Sequence, residues 1–165
     1  MLAAPLRTAP IRLGGAASTT LNYNPWGDTG AFAQETALRV FATKEFARFA
    51  RKERLGSDQL CEAVNRASSG LVDADLGGGV IKQRVARQGQ GRSGGFRTII
   101  AFRSSDRSIF MYGFAKNRKA NLTDDELVVY RRLAEIFLGA DNAMLGRLLA
   151  ADELKEVDCD GQEER

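Results

Sequence analysis

The chain has 165 residues, 44% of them hydrophobic and 27% charged, with a net charge of +3, a balance that bounds it to one globular domain with a proper core. It contains no histidine. That excludes Ser-His-Asp and Cys-His triads, His-based zinc sites and the paired-histidine mechanism of many ribonucleases, and leaves Lys, Arg, Tyr and carboxylates for any proton transfer.

No apolar run is long enough to span a bilayer, and the opening MLAAPLRTAPIRLGG lacks the continuous apolar stretch of a secretory signal, so a cytoplasmic protein with no membrane partner is expected. Cys61 and Cys159 are far apart, one in a helical pattern and one in an acidic tail. They read as reduced thiols, not as a disulfide or a metal site.

Residues 1–36 are rich in Ala, Gly, Thr, Pro and Asn, have no sustained period and carry Pro5, Pro10 and Pro25 as breakers, which predicts an irregular arm with Trp26 and Phe32 available for docking. A domain over 37–138 is expected to follow. The run LRVF from Leu38 reads as a short strand, Thr43 as an N-cap, and KEFARFARKER as a helix with Phe46, Phe49 and Ala50 on one stripe. Gly56 stops that helix. Ser57 is expected to cap a second, in which Leu60, Ala63, Val64 and Ala67 recur at helical spacing until Gly70.

After DADLGGG, read as a loop, come three runs of period two: Val80 to Arg87, Phe96 to Arg103 and Ser108 to Lys116. The connections RQGQGRSGG and SSDR are short, so the three are antiparallel neighbours. The first connection is expected to be flexible enough to close over a ligand, and the second to be a tight hairpin with Asp106 in its turn. Thr123-Asp-Asp-Glu126 is a capping box opening a helix with Leu127, Tyr130, Leu133, Ala134 and Phe137 on its core stripe. Residues 139–165 are expected to form a short helix capped by Asp141 and then an acidic tail. Seven carboxylates between Asp152 and Glu164 stand against Lys155 and Arg165, the pattern of a solvated end, with folding over a basic face as the alternative.

The segment from Gly79 to Lys119 holds ten cations and one anion, Asp106, a local charge of +9. Solvated faces normally mix signs, so this one reads as a surface for a phosphate backbone. Strand alternation puts Lys82 and Arg84 on one face, Arg97 with Ile99, Ala101 and Arg103 on one face of the next strand, and Phe110, Tyr112, Phe114 and Lys116 together on the third. Aromatics in register with cations suit stacked bases and gripped phosphates. Phe96, Ile100, Phe110 and Phe114 are nevertheless expected in the core, because a sheet with helices on one face fills that face with such residues.

The order helix, helix, three strands, helix, with Lys82-x-Arg84, the basic loop GQGRSGGFRTIIAF and the strand end YGFAKN, resembles the RelE/ParE superfamily of type II toxins, nearest to its HigB-like members. The resemblance spans about Leu38 to Phe137. It implies an α+β, RelE-like fold with two N-terminal helices packed on a small, mainly antiparallel sheet and a C-terminal helix. It implies a ribosome-dependent mRNA endonuclease that cleaves in the A site without a metal or other cofactor. Its partners are then mRNA and the ribosome, and a cognate antitoxin, for HigB-like toxins usually a helix-turn-helix DNA-binding protein.

On matching positions the resemblance implies Lys82, Arg84, Arg97 and Lys116 as catalytic residues converging on one phosphate. Arg84 and Arg97 would stabilise the transition state and Lys82 or Lys116 would assist proton transfer. Arginine holds its proton and acts only electrostatically. Contacts with RNA and ribosome fall to Arg87, Arg92, Arg103, Tyr112, Asn117, Arg118 and Lys119. The chain departs from RelE itself at Asn117, where RelE has arginine, and at Thr123, where RelE has tyrosine. Fold alone does not separate this reading from a ParE-like gyrase inhibitor or from a degenerate toxin acting as a nucleic-acid-binding regulator.

Overall fold

A computed structural model describes residues 37–160. The expected N-terminal arm, Trp26 and Phe32 included, and the last five residues of the tail lie outside them. In chain order the elements are β1 (Arg39–Thr43), α1 (Lys44–Lys52), α2 (Ser57–Ser68), β2 (Ala74–Gly77), β3 (Val80–Arg87), β4 (Gly91–Arg103), β5 (Arg107–Ala115), α3 (Asp124–Gly139), α4 (Asn142–Ala150) and β6 (Leu154–Val157). Six strands form one sheet in the order β2-β3-β4-β5-β1-β6. Only the β1–β5 pair is parallel. The chain is therefore α+β with a mostly antiparallel open sheet.

The helices begin where local chemistry satisfies their orphan N–H groups. Thr43 Oγ1 accepts the Phe46 N–H at 3.2 Å, with Glu45 in the first turn of α1 and Arg51 and Lys52 in the last, complementing the helix dipole. The Thr123 box forms as expected, the Glu126 carboxylate accepting the Thr123 N–H at 2.8 Å. Asp141 caps α4 through the Met144 N–H at 2.7 Å. The cap of α2 is Gly56, not Ser57, because the Gln59 side chain reaches back to the Gly56 N–H at 2.6 Å.

Helices cover both faces of the sheet, not one. Phe46 and Ala50 of α1 and Leu60, Val64 and Ala67 of α2 pack on Val40, Ile81, Val85, Phe96, Ile100 and Phe110. On the opposite face, Ala134 of α3 and Leu145 of α4 pack with Phe41, Val80, Ile99, Ile109, Met111 and Phe114. The expected core positions Phe96, Ile100, Phe110 and Phe114 are all buried. Filling both faces explains why β5 is apolar and buried nearly throughout.

A β-bulge separates two residues that alternation alone had put together. Ile99 pairs with Tyr112 but Ile100 pairs with Phe110, leaving Met111 as the extra residue. Phe110 consequently enters the α1/α2 core, and Tyr112 and Phe114 lie on the α3/α4 side. At Gly113 the Phe49 ring of α1 packs directly on the strand: a Cβ there would lie 2.3 Å from it.

Three further expectations are overturned. DADLGGG contributes the edge strand β2, paired with β3. The Gly-rich connection is not a loop up to Phe96, since β4 begins at Gly91, which pairs with Arg87. Over its described part the acidic tail is neither an unstructured end nor folded over the basic segment, although its carboxylates stay exposed. It forms β6 on the far edge of the sheet beside β1, with Leu154 buried and Glu156 in a two-point pair with Arg39.

That strand carries Cys159 back to α2, where it forms a disulfide with Cys61. The reading as reduced thiols fails because the contact comes from tertiary structure alone, across a sequence separation of 98. No helix among the described residues is long and apolar enough to cross a membrane.

Candidate functional site

Antiparallel pairing of β3 and β4 sets Arg84 directly opposite Arg97, and Lys82 opposite Ile99. Alternation sends all three cations to the α3 side of the sheet, where they line a cleft of about 210 Å³ with Asp73, Ala120 and Asn121. Lys82 and Arg97 are half-buried and Arg84 is exposed. The Lys82 ammonium donates to Asn121 Oδ1 at 2.9 Å. None of the three forms an ion pair with a carboxylate among the described residues.

The strand beneath these cations is held from behind by a polar network. Gln83 is fully buried. Its amide donates to the carbonyls of Ala63 and Leu71 at 3.1 and 3.0 Å, and its Oε1 accepts the Asp73 N–H at 3.0 Å. The Thr98 hydroxyl donates to the Gln83 carbonyl at 2.9 Å. Asp73 Oδ2 accepts the Arg84 N–H at 2.6 Å and its Oδ1 lies 3.6 Å from Arg66 Nη2. Arg66 in turn donates to the Arg84 carbonyl at 3.2 Å. The one carboxylate in the cleft is thus neutralised by Arg66, and the cleft keeps its positive potential.

Lys116 is not in that cleft. It lines a second hollow of about 520 Å³ with Glu53, Arg87, Gly94, Phe96 and Arg118, among others including Asn117. Phe96 and Ala115 project to the α1/α2 side, so this hollow opens on the other face of the sheet. Arg87 sits 3.6 Å from the Glu53 carboxylate and 4.7 Å over the Phe96 ring.

The remaining predicted contacts divide into free and engaged groups. Arg92, Asn117 and Arg118 are exposed. Arg103, at the far end of β4, is six residues and about 20 Å of strand from Arg97. It pairs with Asp106, which also holds Arg107 at 2.9 Å. Hydrogen bonding from Arg103 first, and from Arg107 next, holds the Asp106 carboxyl below its ordinary value. Arg107 is buried and donates to the carbonyls of Phe137 and Ala140 at 3.1 and 2.6 Å, a structural role.

Lys119 pairs with Glu126 and lies 6.0 Å from the centroid of the Tyr112 ring. Tyr112 stacks on Tyr130 at 5.7 Å, and burial pushes the Tyr130 phenol up to about 12. Asp73, Asn121, Arg66 and Glu53 also shape the two sites. No motif marked them, since each reaches its place by tertiary contact.

A family model described as the RelE toxin of the RelE/RelB toxin–antitoxin system matches residues 38–157. The chain belongs to the RelE toxin family. No curated protein matches it. The match reaches from β1 through β6, so the terminal strand lies within the family region. Membership makes this chain the toxin of a toxin–antitoxin pair with a cognate antitoxin. RelE toxins are generally endoribonucleases directed at ribosomes and mRNA.

Proposed function

We propose that this RelE-family toxin is a ribosome-dependent mRNA endonuclease of the HigB-like branch, cleaving in the A site, with the Lys82/Arg84/Arg97 cleft as its catalytic centre. The observation that carries the reading is the paired register of Arg84 and Arg97, two guanidinium groups without carboxylate partners among the described residues, beside a half-buried lysine. The strand-end motif YGFAKN and the loop GQGRSGGF support the branch. A helix-turn-helix DNA-binding antitoxin belongs to the same reading.

In this mechanism the 2′-hydroxyl of the message loses its proton and attacks the adjacent phosphorus. Arg97 and Arg84 stabilise the dianionic phosphorane-like state. The P–O5′ bond breaks, leaving a 2′,3′-cyclic phosphate on one fragment and, after protonation, a 5′-hydroxyl on the other. Lys82, oriented by Asn121, assists the proton transfers. The chemistry asks for nothing that histidine alone supplies.

Controlled expression in growing cells tests the reading. Growth arrest with new 5′ ends inside translated codons, and none in untranslated RNA, is the expected result. Arrest with intact messages and inhibited gyrase supercoiling would overturn it in favour of a gyrase-directed toxin.

A further inference from the structure

The hollow that holds Lys116 has its own charge, walls and opening. We propose that it is a second phosphate-binding site, which grips a backbone phosphate of the same RNA strand other than the scissile one. The inference rests on the catalytic reading of the first cleft and extends it to the path of the substrate.

Three cations, Arg87, Lys116 and Arg118, surround this space against one carboxylate, Glu53. Glu53 is spent on Arg87, and neither Lys116 nor Arg118 has a carboxylate partner among the described residues. The Glu53 pair and the Phe96 ring hold the Arg87 guanidinium over the floor, so little side-chain entropy is lost when an anion arrives. The floor itself offers no stacking platform, because Phe96 is 1% exposed. The hollow therefore suits a phosphate and not a base.

Two glycines, Gly94 and Gly95, form part of the wall. A Cβ on Gly95 would lie 2.1 Å from the Val85 carbonyl oxygen, so β3 and β4 close together here only around glycine. Gly94 adds no side chain to the opening.

Continuity with the first cleft favours RNA over an acidic peptide. The connection between β5 and α3 borders both spaces, Lys116, Asn117 and Arg118 on the larger hollow and Ala120 and Asn121 on the smaller cleft. It is itself fixed, with the Arg118 N–H on the Ala115 carbonyl at 3.1 Å and Lys119 on Glu126. A strand crossing this ridge places one phosphate on each side of the sheet. Lys116 then acts in binding, on a different phosphate from the one held by Arg84 and Arg97.

The test is the salt dependence of binding of a labelled single-stranded RNA oligonucleotide to the full chain and to Lys116→Gln/Arg118→Gln. Each phosphate neutralised on a single strand contributes about 0.7 to the slope of log K against log salt. The double variant is expected to lose about 0.7 of slope and on the order of tenfold in affinity, with unchanged thermal unfolding. Arg84→Gln/Arg97→Gln is expected to lose its own increment independently, so that the quadruple variant shows the sum.

An unchanged slope in Lys116→Gln/Arg118→Gln, with wild-type binding intact, overturns the second site and leaves the catalytic reading standing. Failure of the wild-type chain to bind RNA overturns the second site, while the catalytic reading stands or falls on its own cleavage assay. Displacement of a poly-glutamate peptide by the double substitution, with the RNA slope unaltered, assigns the hollow to acidic peptides and also overturns the proposal.

Discussion

Arg84 and Arg97 stand opposite each other on adjacent antiparallel strands, and no described carboxylate pairs with either of them. Like charges at directly opposed positions destabilise a sheet by about 0.2–1 kcal/mol. On the catalytic reading proposed above, the scissile phosphate is the anionic group that offsets this cost.

Arg97→Ala is accordingly expected to abolish growth arrest and mRNA cleavage while leaving the fold as stable or up to about 1 kcal/mol more stable. Parallel toxicity assays and urea unfolding check this. A variant that loses activity together with several kcal/mol of stability would show Arg97 to be a structural residue.

Gln83 carries the opposite expectation. Its buried amide satisfies two carbonyls and one N–H, and truncation leaves those groups unpaired at about 1–3 kcal/mol each before water or relaxation compensates. Gln83→Ala is expected to lose about 2–4 kcal/mol in chemical denaturation and to weaken cleavage, because the Asp73 carboxylate no longer seats the Arg84 backbone. A stability change under about 0.5 kcal/mol would contradict this.

The Cys61–Cys159 disulfide ties the end of β6 to α2 across 98 residues. Cys61→Ser, or reduction of the wild type, is expected to cost about 2–5 kcal/mol. The loss should fall first on β6, whose amides are expected to exchange with solvent faster than those of β3 and β4. Equal unfolding midpoints with and without dithiothreitol would contradict the stabilising role.

Asp106 governs an acid limb of stability. Its carboxyl is held low by Arg103 and Arg107, and that of Glu156 by Arg39, so both bind fewer protons folded than unfolded. Their contribution is complete above the unfolded carboxyl value of about 4 and is lost as pH falls through the lowered folded values. Asp106→Asn is expected to lose about 1–2 kcal/mol at pH 7, a figure reduced for solvent screening. The gap to wild type should narrow below pH 4. Urea midpoints across that range read it directly, and a gap that widens on acidification would reverse the assignment.

The helices and the three central strands are legible in the chain because their causes are local: caps at Thr43, Thr123 and Asp141, and a period of two from Val80 to Ala115. β2 and β6 are not, since each is four residues long and becomes a strand only by pairing with a neighbour. The bulge at Met111 is equally silent in sequence, because alternation describes a strand and the extra residue describes a pair of strands.

The same division runs through the site. The sequence by itself bounded the chemistry: a histidine-free chain with its positive charge gathered between Lys82 and Lys119, in which Lys, Tyr and carboxylates are the side chains left to handle protons and Arg acts only as a fixed charge. Only the tertiary structure decided which cations lie together. Pairing with Asp106 and Glu126 removes Arg103, Arg107 and Lys119 from the free charge. Strand alternation then sends Lys82, Arg84 and Arg97 to one face of the sheet, and the turn after Ala115 leaves Lys116 in a hollow on the other. A count of charges adds along the chain, whereas the field at a phosphate depends on distance and on counter-ions, and folding sets both.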